Sequence, residues 1–271
     1  MTAPGALADR RAVLRELCAI AERAGAVIRE VYATDFAVES KGPNDPVTIA
    51  DKRANALVCE ALARAYPGVP VVAEESAAGD YAGFERADAA FFVDPLDGTR
   101  EFVAKNGEFV VMIGLAEAGR SVLGVVHAPA SGVTWSGAVG VGAFRGETPI
   151  TVVDPGSLAA SRVVVSRSRV GARLTALLDR TPPREVRPLG SAGLKGIAVA
   201  SGEADVYVQL GSAGSLWDAC APEAIVLAAG GRFSDESGAP IDYRASDVKL
   251  TRGVVAAGPT THAATLAAIR A

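Results

Sequence analysis

An apolar stretch that runs directly into two aspartates constrains the fold of this sequence more than any other feature. Residues 89–93 have the composition of a buried strand, and the next six residues read Asp-Pro-Leu-Asp-Gly-Thr. Pro95 fixes the backbone φ angle and Gly98 permits a sharp turn, so a loop is predicted at the end of the strand. Asp94 and Asp97 are then expected to point to one place. An ordinary turn is the alternative, but a plain turn does not require two acids around a proline.

The rest of the sequence predicts a mixed α/β protein. The predicted helices cover residues 9–32, 51–66, 169–179, 192–200 and 217–229. The predicted strands cover residues 69–73, 89–93, 162–166 and 205–209, with a strand meander over 109–136. A turn-rich segment at 154–156 offers the best boundary. We therefore expect two halves, 1–155 with α+β character and 156–271 with α/β character.

The composition narrows the classes of function. The 271 residues include 31 acidic and 27 basic side chains, which disfavours a general binder of nucleic-acid polymers. The two histidines exclude a multi-histidine zinc site and leave little room for a Ser–His–Asp triad. The three cysteines form no CxxC pair, which predicts a reduced compartment. Because no apolar run approaches the roughly 20 residues of a membrane span, we expect a cytoplasmic protein whose chemistry depends on carboxylates.

Two further acidic positions, Glu74 and Asp218, are candidates for the same site. Glu74 begins an acidic pair after the predicted strand 69–73, where a solvated sheet edge is the alternative interpretation. Asp218 lies at the start of the last long predicted helix, where it would serve equally well as the N-cap. Asp51 follows Thr48 at the spacing of a capping box, which alone would explain both residues.

A turn of small residues at 190–193 opens a predicted helix, with Lys195 one turn further on. Backbone N–H groups at a helix start bind anions, and the lysine adds positive charge. A helix start with a surface lysine is the alternative. Oxygen ligands with almost no histidine favour Mg²⁺ or Mn²⁺ over zinc. Together these features predict a magnesium phosphatase in which acidic side chains hold two cations against a phosphate ester.

Three motifs, in this order, resemble the signature of the lithium-sensitive inositol monophosphatase superfamily. They are Glu-Glu-Ser at 74–76, Asp-Pro-Leu-Asp-Gly-Thr at 94–99 and Trp-Asp at 217–218. The segments 98–102 and 106–109 resemble the 3′(2′),5′-bisphosphate nucleotidase branch of CysQ type, since the Thr-Asn-Phe usual in inositol monophosphatases is absent. The resemblance covers residues from about 10 to 245. It implies the layered αβαβα fold of the sugar phosphatases, with two packed sheet–helix halves.

The resemblance also implies two metal sites. The first would take Glu74, Asp94 and the carbonyl oxygen of Leu96. The second would take Asp94, Asp97 and Asp218. The expected cofactor is Mg²⁺, as two ions or three, with Mn²⁺ as a substitute and with Li⁺ and Ca²⁺ as inhibitors.

Catalytic and substrate-binding residues follow from the same resemblance. Asp51, Glu74 and the hydroxyl of Thr99 would activate the attacking water. The implied substrate-binding set is Glu74, Leu96, Asp97, Gly98, Thr99, Arg169, Ser191, Lys195 and Asp218, with the phosphate received by the backbone of Gly98 and Thr99. Lys41 matches a loop lysine of the family, whereas Asp45 and Arg169 stand where many relatives have a serine and a histidine.

The predicted activity is hydrolysis of the 3′-phosphate of adenosine 3′,5′-bisphosphate to AMP, or of 3′-phosphoadenylyl sulfate to adenylyl sulfate, by a water that two cations activate. Inositol monophosphatase or fructose-1,6-bisphosphatase activity on the same fold is one alternative, and a metal-dependent phosphate-binding regulator is the non-enzymatic one. Residues 94–99 also resemble the Asp-x-Asp-Gly-Thr nucleophile loop of haloacid-dehalogenase phosphatases, but they contain one residue more. The spacing therefore disfavours that family. We expect a nucleotide bisphosphate as the partner, no nucleic-acid polymer, no membrane, and a monomer or homodimer.

Overall fold

The computed structural model describes residues 7–42 and 45–271, without the side chains of Lys41 and Asp45. The comparison of Lys41 and Asp45 with the family therefore concerns side chains that lie outside the described part of the structure. In this part of the chain the helices are α1 (Arg10–Tyr32), α2 (Ile49–Ala65), α3 (Thr99–Val103), α4 (Ala172–Arg180), α5 (Ala192–Ala200), α6 (Leu216–Ala228) and α7 (Pro259–Arg270), with short 3₁₀ helices at Ala78–Tyr81 and Phe84–Arg86. None of these helices is long and apolar enough to cross a membrane.

The first half of the chain builds one large sheet. A separate antiparallel pair, β1 (Val38–Gly42) and β2 (Asp45–Thr48), leads into α2. The large sheet contains β3 (Val71–Ala73), β4 (Ala89–Asp97), β5 (Val110–Glu117), β6 (Arg120–Ala128), β7 (Val133–Ala138), β8 (Gly142–Arg145) and β9 (Thr148–Ile150), and its spatial order is its sequence order. β3 is parallel to β4, and each later strand is antiparallel to the one before it. The predicted meander is confirmed by these antiparallel pairings. Antiparallel neighbours need only short connections, as the turns of this region provide.

The second half builds a smaller mixed sheet. Its strands are β10 (Arg162–Ser166), β11 (Glu185–Leu189), β12 (Val206–Gln209), β14 (Arg232–Asp235) and β16 (Val254–Ala257), while β13 (Gly214–Ser215) and β15 (Lys249–Leu250) form a separate pair. The order in the sheet is β11-β10-β12-β16-β14. The sequence predicted β10 and β12 but missed β11, β14, β16 and α7. β11 is an edge strand with exposed side chains and a proline, so it carries little strand signal.

Three apolar clusters separate five layers of secondary structure. α1 and α2 pack on one face of the large sheet, where Leu17 and Phe91 belong to the same buried apolar cluster. α5 and α6 lie between the large sheet and the smaller one, with Ile225 fully buried. Leu177 of α4 and Leu266 of α7 pack on the outer face of the smaller sheet. The predicted αβαβα fold is confirmed, and the division of the chain at residue 155 stays a prediction.

Candidate active site

A cleft opens where the end of β4 meets the starts of α5 and α6. The residues predicted to bind metal or substrate all line it: Glu74, Asp94, Leu96, Asp97, Gly98, Thr99, Arg169, Ser191, Lys195 and Asp218. Asp51, the remaining predicted catalytic residue, lies behind Thr99, whose hydroxyl is 3.1 Å from Asp51 Oδ1. The fold therefore brings together residues that are far apart in the sequence.

A β-bulge in β4 turns Asp94 and Asp97 toward the same side. Residues three apart on a regular strand point to opposite faces of the sheet. The two aspartates are three residues apart, whereas their partners in β5 are only two apart, so β4 contains one extra residue. That residue restores the common direction, and the N–H of Leu96 donates to Asp94 Oδ1 over 3.0 Å. The strand predicted to end at Val93 instead continues to Asp97, because pairing with β5 resumes beyond the bulge.

Asp218 enters the cleft from the first turn of α6. Ser215 is the N-cap of this helix and Asp218 is at position N3, where Oδ2 accepts the N–H of Ser215 over 2.7 Å. The interpretation of Asp218 as the N-cap itself is therefore wrong, although its carboxylate does belong to the capping box. One carboxylate oxygen from each of Asp94, Asp97 and Asp218 lies within 4.8 Å of the other two.

These carboxylates repel one another away from water. Burial and the charges of Glu74, Asp97 and Asp218 raise the pKa of Asp94 well above its ordinary value. Burial and the charges of Asp97 and Glu74 raise the pKa of Asp218 to about 8. A divalent cation replaces this repulsion with attraction, and an all-oxygen donor set suits Mg²⁺ better than zinc. The residues present therefore fit a magnesium site.

Glu74 follows β3 at the edge of the large sheet. Its backbone N–H donates to the carbonyl oxygen of Val93 over 3.1 Å, which extends the pairing of β3 with β4 up to this residue. Among the neighbouring charges, that of Glu74 has the largest effect on the pKa of Asp94. Glu74 thus lies at a sheet edge, as the alternative interpretation has it, and also lines the cleft. A metal site formed by Glu74, Asp94 and the Leu96 carbonyl stays a prediction.

Asp51 is at position N3 of α2, in the predicted capping box. Its Oδ2 accepts the N–H and the hydroxyl of Thr48, each over 2.7 Å. Its Oδ1 is the acceptor for Thr99, whose hydroxyl also lies 3.2 Å from the carbonyl oxygen of Leu96. Burial raises the pKa of Asp51, while the hydrogen bonds from Thr48 and Thr99 oppose that rise. The carboxylate is therefore fixed on one side and reaches the cleft through Thr99 on the other.

The turn before α5 contains a strained residue. Ser191 is the N-cap of α5 with φ 58° and ψ 130°, and a positive φ is uncommon for a residue with a side chain. Asp97 Oδ2 accepts the Ser191 hydroxyl over 2.5 Å and the Gly193 N–H over 2.8 Å. One carboxylate therefore belongs both to the acidic cluster and to the turn predicted to bind substrate.

Lys195 is buried in α5 with 4% of its surface exposed, so its interpretation as a surface lysine is wrong. Its ammonium group donates to the carbonyl oxygen of Ser191 over 2.5 Å and lies 5.4 Å from the ring centre of Tyr207. Burial lowers the pKa of Lys195 to about 8, although the charges of Asp97 and Glu101 work against it. At neutral pH the amine is therefore still mostly protonated, and it supplies positive charge to an acidic cleft.

Sequence reasoning gave no site role to several residues of the cleft wall, among them Arg100, Glu101, Ser166 and Gln209. Glu101 is 8% exposed, and burial raises its pKa. A Cβ at Gly190 would lie 2.5 Å from Glu101 Cγ, so this glycine was the only sequence signal of the contact. The helix predicted to begin at Arg169 begins at Ala172, which leaves Arg169 exposed at the mouth of the cleft.

A family-wide sequence comparison now decides the classification. The model of the inositol monophosphatase family matches residues 9–271. The chain belongs to the inositol monophosphatase family. It is therefore a phosphatase, as the three motifs predicted. The resemblance of these motifs to the inositol monophosphatase superfamily is confirmed.

Individual relatives agree with this assignment. The chain is 36% identical over 244 residues to the 3′(2′),5′-bisphosphate nucleotidase CysQ of Escherichia coli (strain K12). This match covers 89% of this chain and 98% of that protein. It is 35% identical over 251 residues to the CysQ of Salmonella typhimurium, with the same coverage of 89% and 98%. The extragenic suppressor protein suhB of Bartonella henselae matches with a TM-score of 0.84, 26% identity, and coverage of 96% of this chain and 98% of that one. The inositol monophosphatase of Anabaena matches with a TM-score of 0.81, 27% identity, and coverage of 97% and 96%.

Proposed function

We propose that this phosphatase removes the 3′-phosphate of adenosine 3′,5′-bisphosphate, giving AMP and inorganic phosphate, with Mg²⁺ as its cofactor. The convergence of Asp94, Asp97 and Asp218 carries the proposal, because carboxylate oxygens within 4.8 Å of one another suit a divalent cation. The nucleotide substrate is supported by the CysQ relatives, one of which is 36% identical to this chain. The same site would act on 3′-phosphoadenylyl sulfate, which carries the same 3′-phosphate.

The metal would be held by the acidic cluster. Asp94, Asp97 and Asp218 would each contribute a carboxylate oxygen, while Glu74 and the Leu96 carbonyl would complete the site of a second ion. Bound Mg²⁺ supplies charge neutralisation on the phosphate and a lower pKa of the attacking water. Burial and mutual repulsion raise the pKa of Asp94 and of Asp218. The folded protein therefore favours binding of a proton or a cation by these carboxylates.

Thr99 and Asp51 provide a path for the proton of the attacking water. The Thr99 hydroxyl donates to Asp51 Oδ1, which leaves the hydroxyl oxygen free to accept a hydrogen bond from a water in the cleft. Thr48 occupies the other oxygen of Asp51, so the carboxylate keeps its orientation. The water oxygen forms the new bond to phosphorus as the bond from phosphorus to the 3′-oxygen breaks. The 3′-oxygen takes a proton from water in the cleft, and the proton that Asp51 accepted returns to solvent.

Basic groups of the cleft suit the part of the substrate that does not react. Lys195 and Arg169 line the cleft together with the acidic cluster. A nucleotide bisphosphate has a second phosphate that such groups attract, whereas inositol 1-phosphate has none. The backbone of Gly98 and Thr99, at the start of α3, would receive the phosphate that is cleaved.

Phosphate release is the test of this function. Adenosine 3′,5′-bisphosphate, inositol 1-phosphate and fructose 1,6-bisphosphate are compared at equal concentration with Mg²⁺, and with EDTA as the control. We expect kcat/KM for the nucleotide to exceed that for inositol 1-phosphate at least about tenfold, because the second phosphate adds contacts. Fructose 1,6-bisphosphate also has a second phosphate, so a lower kcat/KM for this sugar than for the nucleotide would show that the second phosphate alone is not enough. Lithium inhibition would support the family without selecting the substrate.

A second candidate function is hydrolysis of inositol monophosphate, favoured by the structural match to the Anabaena inositol monophosphatase with a TM-score of 0.81. A higher kcat/KM for inositol 1-phosphate than for the nucleotide would select it. The non-enzymatic alternative, a phosphate-binding regulator, is disfavoured because the chain belongs to a phosphatase family.

A further inference from the structure

Glu108 lies outside the predicted site, in the loop between α3 and β5, yet its side chain reaches the second half of the chain. Its carboxylate oxygens lie 2.6 and 2.7 Å from one nitrogen of the Arg167 guanidinium. Oε2 also accepts the backbone N–H of Gly190 over 2.7 Å. Arg167 follows β10 and Gly190 follows β11, and the last residues of these two strands are paired. One carboxylate thus joins the large-sheet half of the protein to the ends of two neighbouring strands.

The backbone of Glu108 supports a second turn of the cleft. Gly98 has φ 99°, and a Cβ at this position would lie 2.7 Å from the carbonyl oxygen of Glu108. The turn that contains Gly98 and Thr99 therefore packs directly on the main chain of Glu108. The side chain of Asn106 accepts the Glu108 N–H over 3.0 Å, which fixes this main chain in turn. Glu108 thus touches one cleft turn through its backbone and another through its carboxylate.

The turn at Gly190 and Ser191 depends on such support. Ser191 has φ 58°, and a residue with a side chain keeps that conformation only when its surroundings hold it. Gly190 is buried and packs so closely on Glu101 that a Cβ would lie 2.5 Å from its Cγ. Asp97 accepts the hydroxyl of Ser191, and Glu108 accepts the N–H of the residue before it. The strained residue is therefore held on both sides by carboxylates from the other half of the chain.

We propose that Glu108 is a positioning residue, whose carboxylate fixes the Gly190 N–H and thereby sets where Ser191 and Lys195 meet the non-reacting part of the substrate. Arg167 acts on this turn by holding the carboxylate in place. The inference rests on the proposed function, in which the turn contacts the nucleotide. Burial works to raise the pKa of Glu108, but the hydrogen bonds from Arg167 and Gly190 hold it below its ordinary value, so the group is ionised at neutral pH.

Three substitutions separate the contacts of Glu108. Glu108→Ala removes the acceptor for Gly190 and the partner of Arg167. Glu108→Gln keeps an oxygen that can accept the Gly190 N–H but loses the charge, and Arg167→Gln removes the guanidinium alone. Glu117→Ala is the matched control, because Glu117 forms a 2.7 Å ion pair with Arg10 at the opposite end of β5.

Steady-state kinetics with adenosine 3′,5′-bisphosphate give the first readout. For Glu108→Ala we expect KM to rise about tenfold with kcat within about twofold of wild type, because the contacts that loosen are to the non-reacting part of the substrate. Glu108→Gln and Arg167→Gln are each expected to raise KM about threefold, since one contact remains. The control leaves both constants unchanged. An unchanged KM in Glu108→Ala, or a loss of kcat at constant KM, would overturn the proposal.

Hydrogen exchange of the Gly190 amide, followed by NMR, gives a second readout that needs no substrate. Exchange is expected to be at least about tenfold faster in Glu108→Ala and unchanged in Glu117→Ala. Unchanged exchange in a folded Glu108→Ala refutes the positioning role whatever the substrate is. If wild type prefers another phosphomonoester, the proposed function fails, and KM is compared on that substrate instead. If Glu108→Ala does not fold, Glu108→Gln decides, and a KM equal to wild type in that variant overturns the proposal.

Discussion

Two helix starts bring carboxylates to the cleft with the same local motif but prepare them for different tasks. In α2 the N-cap is Thr48 and the N3 residue is Asp51, and in α6 these positions are Ser215 and Asp218. In each helix the N3 carboxylate accepts the N–H of the N-cap residue over 2.7 Å. Each aspartate therefore satisfies a donor that a helix start would otherwise leave open.

The difference lies in what meets the rest of each carboxylate. Asp51 accepts the hydroxyls of Thr48 and Thr99, so both of its oxygens are hydrogen bonded. Asp218 instead has an oxygen within 4.8 Å of oxygens from two other aspartates. Burial raises the pKa of both residues, but around Asp218 the charges of Asp97 and Glu74 add to this effect and bring the pKa to about 8.

The same capping geometry therefore does not show whether a residue is structural or catalytic. The N3 position holds a carboxylate across the helix start, and the group that the carboxylate then meets determines its chemistry. In the proposed mechanism Asp51, which meets a hydroxyl, would accept a proton, and Asp218, which meets carboxylates, would hold a cation. Both aspartates belong to capping boxes, while their roles in catalysis and metal binding stay predictions.

Replacing Asp51 and Asp218 separately by asparagine is the strongest test of whether the two residues have different roles. Asparagine keeps an oxygen that can accept the N-cap N–H, so both variants are expected to fold. Asp218→Asn should lower kcat/KM about a thousandfold, as should Asp94→Asn, because a charge that holds the cation is lost. Asp51→Asn should lower kcat about a hundredfold, because the proton acceptor is lost while the cation site remains.

Thermal unfolding with and without Mg²⁺ separates the two causes of inactivity. The rise in Tm that Mg²⁺ produces should disappear in Asp218→Asn and persist in Asp51→Asn, since a bound cation stabilises only the folded state. Equal Mg²⁺ responses in the two variants would contradict the assignment of different tasks.

The pH dependence of stability distinguishes Asp218 from Asp51 in the absence of metal. The pKa of Asp218 rises from 3.8 to about 8 on folding, so the folded protein holds this proton more tightly than the unfolded chain. Its stabilising contribution is present in full below pH 3.8 and is lost as the pH rises toward about 8. In EDTA we therefore expect Tm to fall over this window, and to fall by several degrees less in Asp218→Asn. Asp51→Asn should change the slope less, because hydrogen bonds stabilise the ionised Asp51. An identical slope in wild type and Asp218→Asn would rule out this account.

The sequence predicted the acidic cluster because its residues flank strong local signals. The bounds of β10 and α5 also match their predicted ranges, since apolar runs with turn residues on either side define both. The common direction of Asp94 and Asp97 was predicted for the wrong physical reason. A turn was expected, whereas a bulge within a longer strand turns the side chains together.

Other features of the cleft left no local trace in the sequence. Arg167 is 59 residues from Glu108, and Gly190 is 82 residues from it, so no periodicity connects them. The positive φ of Ser191 is imposed by partners from distant segments rather than by its own preference. Burial of Lys195 likewise depends on how α5 packs between the two sheets, which the spacing of its residues does not show.

Lys195→Ala tests the buried basic group of the cleft. The buried ammonium group holds the Ser191 carbonyl and supplies positive charge to the cleft, so its loss should raise KM for adenosine 3′,5′-bisphosphate about tenfold with a smaller change in kcat. Turnover of a small phosphomonoester serves as the control. An equal loss on both substrates would remove Lys195 from the nucleotide-binding wall.

The smallest expected effects come from the two N-cap hydroxyls. Thr48→Ala should lower the free energy of unfolding by about 1 kcal/mol, because the Thr48 hydroxyl accepts the Ala50 N–H as an N-cap. Ser215→Ala should lower it less, because the Ser215 side chain makes no N-cap hydrogen bond. Their kinetics should differ. The Thr48 hydroxyl donates to Asp51 over 2.7 Å, so its loss should lower kcat severalfold, and Thr48→Ser should restore it. Asp218 accepts the backbone N–H of residue 215, which Ser215→Ala keeps, so kcat there should stay within about twofold of wild type. An equal fall in kcat in both variants would mean that Asp51 and Asp218 depend on their caps in the same way.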